Sequence, residues 1–340
     1  MTRFPEAVLL LLVGAVLGPD GLGLLSDAVL AIVDPATPVA LVALGMLVGM
    51  HSSVHGRREK RLFAAAATEA AITGALVTAG LFWTPPIDGP PPQLIALVLG
   101  VCAASSAAAS WRPTTERVIT ERIGDLDALL PIAIGAAALA WLRAPSPAEA
   151  VLLALQACGV ALVVVAAAWL LIGRAASETE QRVFTVALLL LLGGAADYLS
   201  LSSLLSGLVA GFFLERVGGP AREAISRDVL QFERPLVALV LLVIGARVDV
   251  PPASVALGLA YLLLRSGGKL MGGWMAARVV GAAAPRHLGA GLLSPGVLGL
   301  AFALNAVRAI GPEGAIVLAA ATVGTVGSEL IAALVRQEPS

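Results

Sequence analysis

Charge is scarce in this chain: of 340 residues, only 13% are Asp, Glu, Lys or Arg. A soluble domain of that length needs a charged outer shell, so the scarcity argues against one. Aromatic residues make up 4%. The two cysteines, Cys102 and Cys158, sit inside apolar stretches, which excludes a disulfide framework and a CxxC metal knuckle. Of three histidines, His51 and His55 share a helical i,i+4 spacing but lack the Glu of a zinc-protease helix. They adjoin Arg57, Arg58, Lys60 and Arg61 and read as a hydrated helix end, so no metal site is expected. The net charge of −1 suggests no nucleic-acid partner. Neither a Ser–Lys nor a paired-Asp catalytic arrangement is recognisable, and the expectation is a non-enzyme without a cofactor.

Apolar and small residues fill the space instead. The chain is 58% hydrophobic, with 36 glycines and a mean hydropathy of +0.92. A bilayer is the solvent for such a composition, and small residues let helices approach closely within it. The expected fold is an all-α polytopic membrane protein of about 12 transmembrane helices, one transporter domain over 1–340 with no soluble domain. The expected spans run about 5–26, 36–54, 62–83, 93–110, 115–142, 148–173, 183–199, 200–215, 229–246, 253–277, 287–308 and 312–335. The first resembles a signal-peptide core without a cleavage site, and is expected to be retained. Pro- and Gly-rich turns bound the spans at Thr84–Pro86, Gly89–Pro92, Pro145–Pro147 and Pro251–Pro252.

Basic residues orient these spans. With the N-terminus on the cytoplasmic side, sixteen of the 22 fall inside and only Arg143, Arg247 and Arg308 outside, while Arg234, Arg265 and Lys269 lie within spans. The bias fits the positive-inside rule with both termini cytoplasmic.

Ionisable groups inside spans are costly and are functional candidates. In Arg122-Ile-Gly-Asp125-Leu-Asp127-Ala-Leu-Leu-Pro131, with a helix start at Pro113–Thr115, Asp127 lies twelve residues in, about 18 Å along the axis and near mid-bilayer. Asp125 is about 200° away around an unbroken helix and cannot share its face. Pro131 frees a carbonyl on the preceding turn. In the tenth span, Arg265 and Lys269 share a face at i,i+4 and need a counter-ion, which Asp127 supplies. The pair reads either as a fixed structural ion pair or as an exchange site, where burial opposes charge on Asp127 and Lys269 favours it. Asp197, Glu215 and Glu329, near span ends, read as interfacial. Glu69 is deeper and has no assigned partner.

Helix breakers occur in the fourth and eleventh spans, at Ser105–Ser106 and at Ser294–Pro295–Gly296. Discontinuous helices in corresponding places mark transport sites, and their ends are expected to line an ion site with Asp127.

Several segments resemble, in order along the chain, the monovalent cation/proton antiporter superfamily. Val13 to Leu24, with Gly18-Pro19, is similar to its G-x-L-x-G-P-x-x-L-G stretch. Leu41 to His51 resembles the following helix, with His in place of Glu. Leu201 to Glu215 resembles its G-A-F-L-A-G span and Phe232 to Asp249 its F-F-x-x-x-G-x-x-x-D span. Arg265 to Lys269 resembles its R-x-x-G-K helix, and Ser294 to Val297 its P-R-G-E crossover. Departures are Leu126 where a polar residue usually precedes the ion-binding Asp, and the apolar Gly296–Val297. Neither the extra N-terminal span nor the cytoplasmic nucleotide-binding domain of many relatives is expected within these 340 residues.

The resemblance implies two inverted repeats with broken crossover helices, a homodimer in a bacterial inner or plasma membrane, and exchange of H⁺ for Na⁺ or K⁺ through Asp127. The alternatives are a non-transporting or sensory relative, which Leu126 favours, and a sodium-coupled organic anion symporter.

Overall fold

The computed structural model describes residues 5–53, 56–83, 91–106, 115–144, 146–282, 284–285, 287–311 and 314–335. His55, the turns at Thr84–Pro86 and Gly89–Pro90, Ala107, the Pro113–Thr114 helix start, Pro145, and the basic residues Arg3, Arg112, Arg286 and Arg336 lie outside them. Regular structure among the described residues is entirely helical. The helices are α1 (Glu6–Leu17), α2 (Asp27–Val33), α3 (Ala36–Met50), α4 (Gly56–Leu81), α5 (Pro92–Ala104), α6 (Thr115–Asp127), α7 (Leu129–Arg143), α8 (Pro147–Ile172), α9 (Glu178–Tyr198), α10 (Ser203–Val217), α11 (Gly219–Arg247), α12 (Pro252–Val280), α13 (Leu288–Gly291), α14 (Gly296–Ile310) and α15 (Ala315–Val335).

Each of the twelve expected spans contains helix. By length and hydropathy, six helices among the described residues are able to cross a bilayer, or seven if the pair α2 and α3, bent by 46°, is one span. The expected start of the second span at 36 misses α2, which lies before the break and 46° bend at Asp34–Pro35. Large apolar side chains face outward all around, among them Leu152, Val163, Leu190 and Leu263, as a lipid-bathed surface requires. One end of the bundle, called the basic end below, carries Arg58, Arg174, Arg216 and Arg222. The opposite end carries Arg143, Arg247 and Arg308, with exposed Trp83, Trp141 and Tyr198 close by, the aromatic composition of a membrane interface.

Glycine decides how the helices cross. α3 packs on α10 through Gly45 and Gly49 on one side and Gly207 and Gly211 on the other. α1 packs on α11 through Gly14, Gly18 and Gly245. At each of these, a Cβ would fall within 3 Å of a backbone atom across the crossing. The two crossings are equivalents: α1, α3, α4, α5 and α6–α7 make among themselves and their partners the contacts that α10, α11, α12, α13–α14 and α15 repeat. Two halves thus interlock about the α4–α12 pair, as the inverted-repeat expectation requires.

Gly211→Val places a Cβ 2.1 Å from the Met46 carbonyl oxygen. Overpacking of side chains alone costs about 1–3 kcal/mol, and a backbone cannot yield as a side chain does. The variant should lose most of its monodisperse yield in detergent size-exclusion chromatography. Gly159→Val on α8, with nothing within 4 Å of the new Cβ, should elute as the unmodified chain does.

Candidate functional site

The site lies where the two broken elements meet. α5 ends at Ala104, and Ser105 continues it in extended conformation, with φ −80° and ψ 147°. In the other half, α13 stops at Gly291 and α14 begins at Gly296, leaving Leu292–Pro295 outside both helices. Gly299 of α14 lies against the Cys102 carbonyl, where a Cβ would sit 2.6 Å away, and this lets the two elements cross.

α5 ends with carbonyls that lack a helical partner and with the negative pole of its dipole, and the second break presents the Leu293 carbonyl. α12 answers them with its two cations. Arg265 donates from Nη1 to Leu293 O at 2.6 Å and from Nη2 to Ser105 O at 3.2 Å, one bond to each break. It is fully buried and, among the described residues, has no carboxylate within ion-pair distance. Lys269, one turn on, donates to Ala104 O at 2.6 Å.

Lys269 is also shared between two acids. Its Nζ lies 3.0 Å from Glu69 Oε1 and 3.5 Å from Asp127 Oδ2, and all three side chains are fully buried. Glu69 comes from α4, and Gly268 and Gly272 of α12 let that helix approach closely enough: a Cβ at Gly272 would be 2.9 Å from Glu69 O. Thr73 donates to Glu69 Oε1 at 2.8 Å. Asp127 receives the Ser106 backbone N–H at 3.2 Å on Oδ1 and the Ser106 hydroxyl on Oδ2. It is the last residue of α6. Pro131 has no N–H to give the carbonyl four residues earlier, which is that of Asp127.

A cavity of about 750 Å³ opens toward the basic end. Ser106, Asp125, Glu121, Gly296 and Glu329 line it, with His51, Glu233 and Arg234 nearer its mouth. Ser106 therefore has the cavity on one side and Asp127 on the other. At the opposite end, a recess of about 450 Å³ is bounded by Asp34, Arg143, Asp197, Arg247 and Arg308. Arg308 pairs with Asp34 at 2.7 Å and Asp197 at 2.5 Å, and Arg247 with Asp34 at 2.9 Å. Arg143 donates to the carbonyls of Ala309, Ser200 and Arg308. Buried Ile132 and Phe302, the latter packed on Gly135, belong to the apolar core on this side of Asp127.

The structure thus brings together Asp127, Lys269, Arg265, Ser105 and Ser106, and it places Ser294, Pro295 and Gly296 at the second break. Asp125 is set apart: it is exposed on the cavity wall, on another face of α6. Two further acids belong near the breaks. Glu69, unassigned in sequence, is the nearer partner of Lys269. Glu329, expected at an interface, is 6% exposed and accepts the Ser294 hydroxyl at 2.6 Å. Glu215 and Asp197 do pair at the ends, with Arg222 and Arg308.

No family model matches the chain, and no curated protein matches it by sequence. Its fold does have counterparts among solved structures. The sodium/proton antiporter MjNhaP1 from Methanocaldococcus jannaschii, determined at pH 8, aligns with a TM-score of 0.69 over 97% of this chain and 93% of that one, at 16% identity. At that identity the likeness is one of architecture: this chain is a multi-pass helical membrane protein with the fold of a sodium/proton antiporter.

Proposed function

We propose that the protein is a secondary active antiporter that exchanges H⁺ for a monovalent cation, Na⁺ or K⁺, by alternating access. The observation that carries this reading is the balance of charge around Lys269. With Glu69, Lys269 and Asp127 all ionised, these three side chains carry one net negative charge, while Arg265 spends its charge on the carbonyls of the two breaks. One proton or one monovalent cation on Asp127 neutralises it; both together leave a net positive charge in a medium that penalises it. Occupancy by one excludes the other, which is what antiport requires. Glu69 keeps the ammonium paired while Asp127 changes state. The Ser106 hydroxyl donates to the carboxylate, and by turning it offers its oxygen to a bound cation or to the carboxylic acid.

The cavity favours cations over an organic anion. Glu6, Glu121, Asp125, Glu233 and Glu329 line it against a single Arg234 and His51, and a cleft lined by one sign of charge concentrates the other. The homodimer inferred from the resemblance belongs to this proposal. So does the sidedness, with the basic end cytoplasmic. A reporter fused after Ser340 should be read out from the cytoplasm, and a signal from the other face overturns the orientation.

Everted vesicles loaded with a pH-sensitive dye test the function. Addition of Na⁺, K⁺ or Li⁺ should dequench the dye and identify the cation. No response to any of the three favours the non-transporting reading, which Leu126 supports: it is buried in an apolar cluster with Ile123 and Leu62 and offers no second polar group beside Asp127.

A further inference from the structure

Ser294 and Glu329 repeat, in the second half of the molecule, the arrangement of Ser106 and Asp127 in the first. α15 stands to the break between α13 and α14 as α6–α7 stands to the end of α5. In each half the serine at the break donates its hydroxyl to an acid on the neighbouring helix. The surroundings differ in two respects. Glu329 lines the basic-end cavity directly, whereas Asp127 lies behind Ser106. Lys269 pairs with Asp127, but among the described residues no Lys or Arg lies within ion-pair distance of Glu329.

The charged groups near Glu329 are accounted for helix by helix. On α12, Arg265 is engaged with the two breaks and Lys269 with Glu69, Asp127 and Ala104. α5 carries no charged side chain, and the one on α14, Arg308, is bound at the opposite end. Across the cavity stand Glu121 and Asp125 of α6, Glu233 and Arg234 of α11, His51 at the end of α3, and Glu6 of α1. A buried carboxylate without a fixed cation takes its positive partner from solution. The first residues of α14, Gly296 to Leu298, line the same cavity.

We propose that Ser294 and Glu329 form a second proton-carrying site, open to the basic-end cavity, which releases its proton when a monovalent cation binds there. The glutamic acid and the cation give the carboxylate–cation pair and one H⁺. Occupancy is independent of Asp127. This deepens the antiport reading and rests on it: a cycle with two carboxyls moves more than one proton-equivalent.

The test is chemical labelling of the purified full chain in detergent. Dicyclohexylcarbodiimide modifies buried protonated carboxyls, and peptide mass spectrometry locates the adduct. Glu329 should be modified equally in the unmodified chain and in Asp127→Asn. Na⁺, K⁺ or Li⁺ in place of choline should lower that modification, by about tenfold at ten times the cation's Kd. Ser294→Ala should weaken the protection at the same cation concentration. The proposal is overturned if Glu329 is not modified, if no cation protects it, or if protection is unchanged in Ser294→Ala. A chain that exchanges ions in vesicles but leaves Glu329 unlabelled sinks this proposal alone. One that shows cation-protected labelling yet exchanges nothing sinks the antiport reading alone.

Discussion

Vesicles carrying Asp127→Asn should show no cation-dependent dequenching above that of empty vesicles, while the protein is made and melts much as the parent does. The amide has nearly the shape of the carboxyl, and its oxygen still accepts from Ser106. It can neither ionise nor carry a proton. What remains in the core is Glu69 paired with Lys269 at 3.0 Å, a neutral cluster that calls for neither a proton nor a cation. Loss of exchange with an intact fold is therefore the expected combination. Exchange at the parental rate removes Asp127 from the carrier role and transfers the question to Glu69, Asp125 and Glu329.

Glu69→Gln should lower the exchange rate by about a hundredfold or more, and Glu69→Gln combined with Lys269→Gln should recover much of it. In the single variant, Lys269 has Asp127 as its only acid. That pair is already neutral, and loading Asp127 with a proton or a cation strands a buried ammonium. Breaking such a pair costs roughly 3–5 kcal/mol, and each ~1.4 kcal/mol is a factor of ten. In the double variant, Asp127 alone again gives one net negative charge to be met from solution. Initial dequenching rates of the three proteins, normalised to vesicle content, decide the matter. If the folded double variant is no faster than the single one, charge balance is not the principle of the site.

The sequence made some of this visible and hid the rest for physical reasons. Asp127, Arg265 and Lys269 stood out because lipid forbids unexplained charge, and the breaks stood out because Ser294-Pro295-Gly296 cannot continue a helix. Depth along a single helix is legible; which helix lies alongside is not. Glu69 was therefore seen as deep but left without a partner, since nothing in one chain says that α4 faces α12. The glycines at 268 and 272 carry that information, but only once the crossing is known. Glu329 was placed by its distance from the end of its apolar segment, and that distance says nothing of the α13–α14 break beside it.

The arginines at the opposite end bear on how the molecule divides its time. Arg308 and Arg143 come from the broken helix and its neighbour, while Asp34, Asp197 and Ser200 belong to the helices packed around them. Opening that recess to Asp127 means parting these groups. Two partly exposed ion pairs, Arg308 with Asp34 and with Asp197, at roughly 0.2–1 kcal/mol each make a latch of up to about 2 kcal/mol, which favours the state seen here over its alternate by a modest factor. A transmembrane voltage acts on the same scale, about 2.3 kcal/mol per charge per 100 mV. In the proposed exchange cycle, the latch is strong enough to set a resting posture and weak enough for an energised membrane to release it.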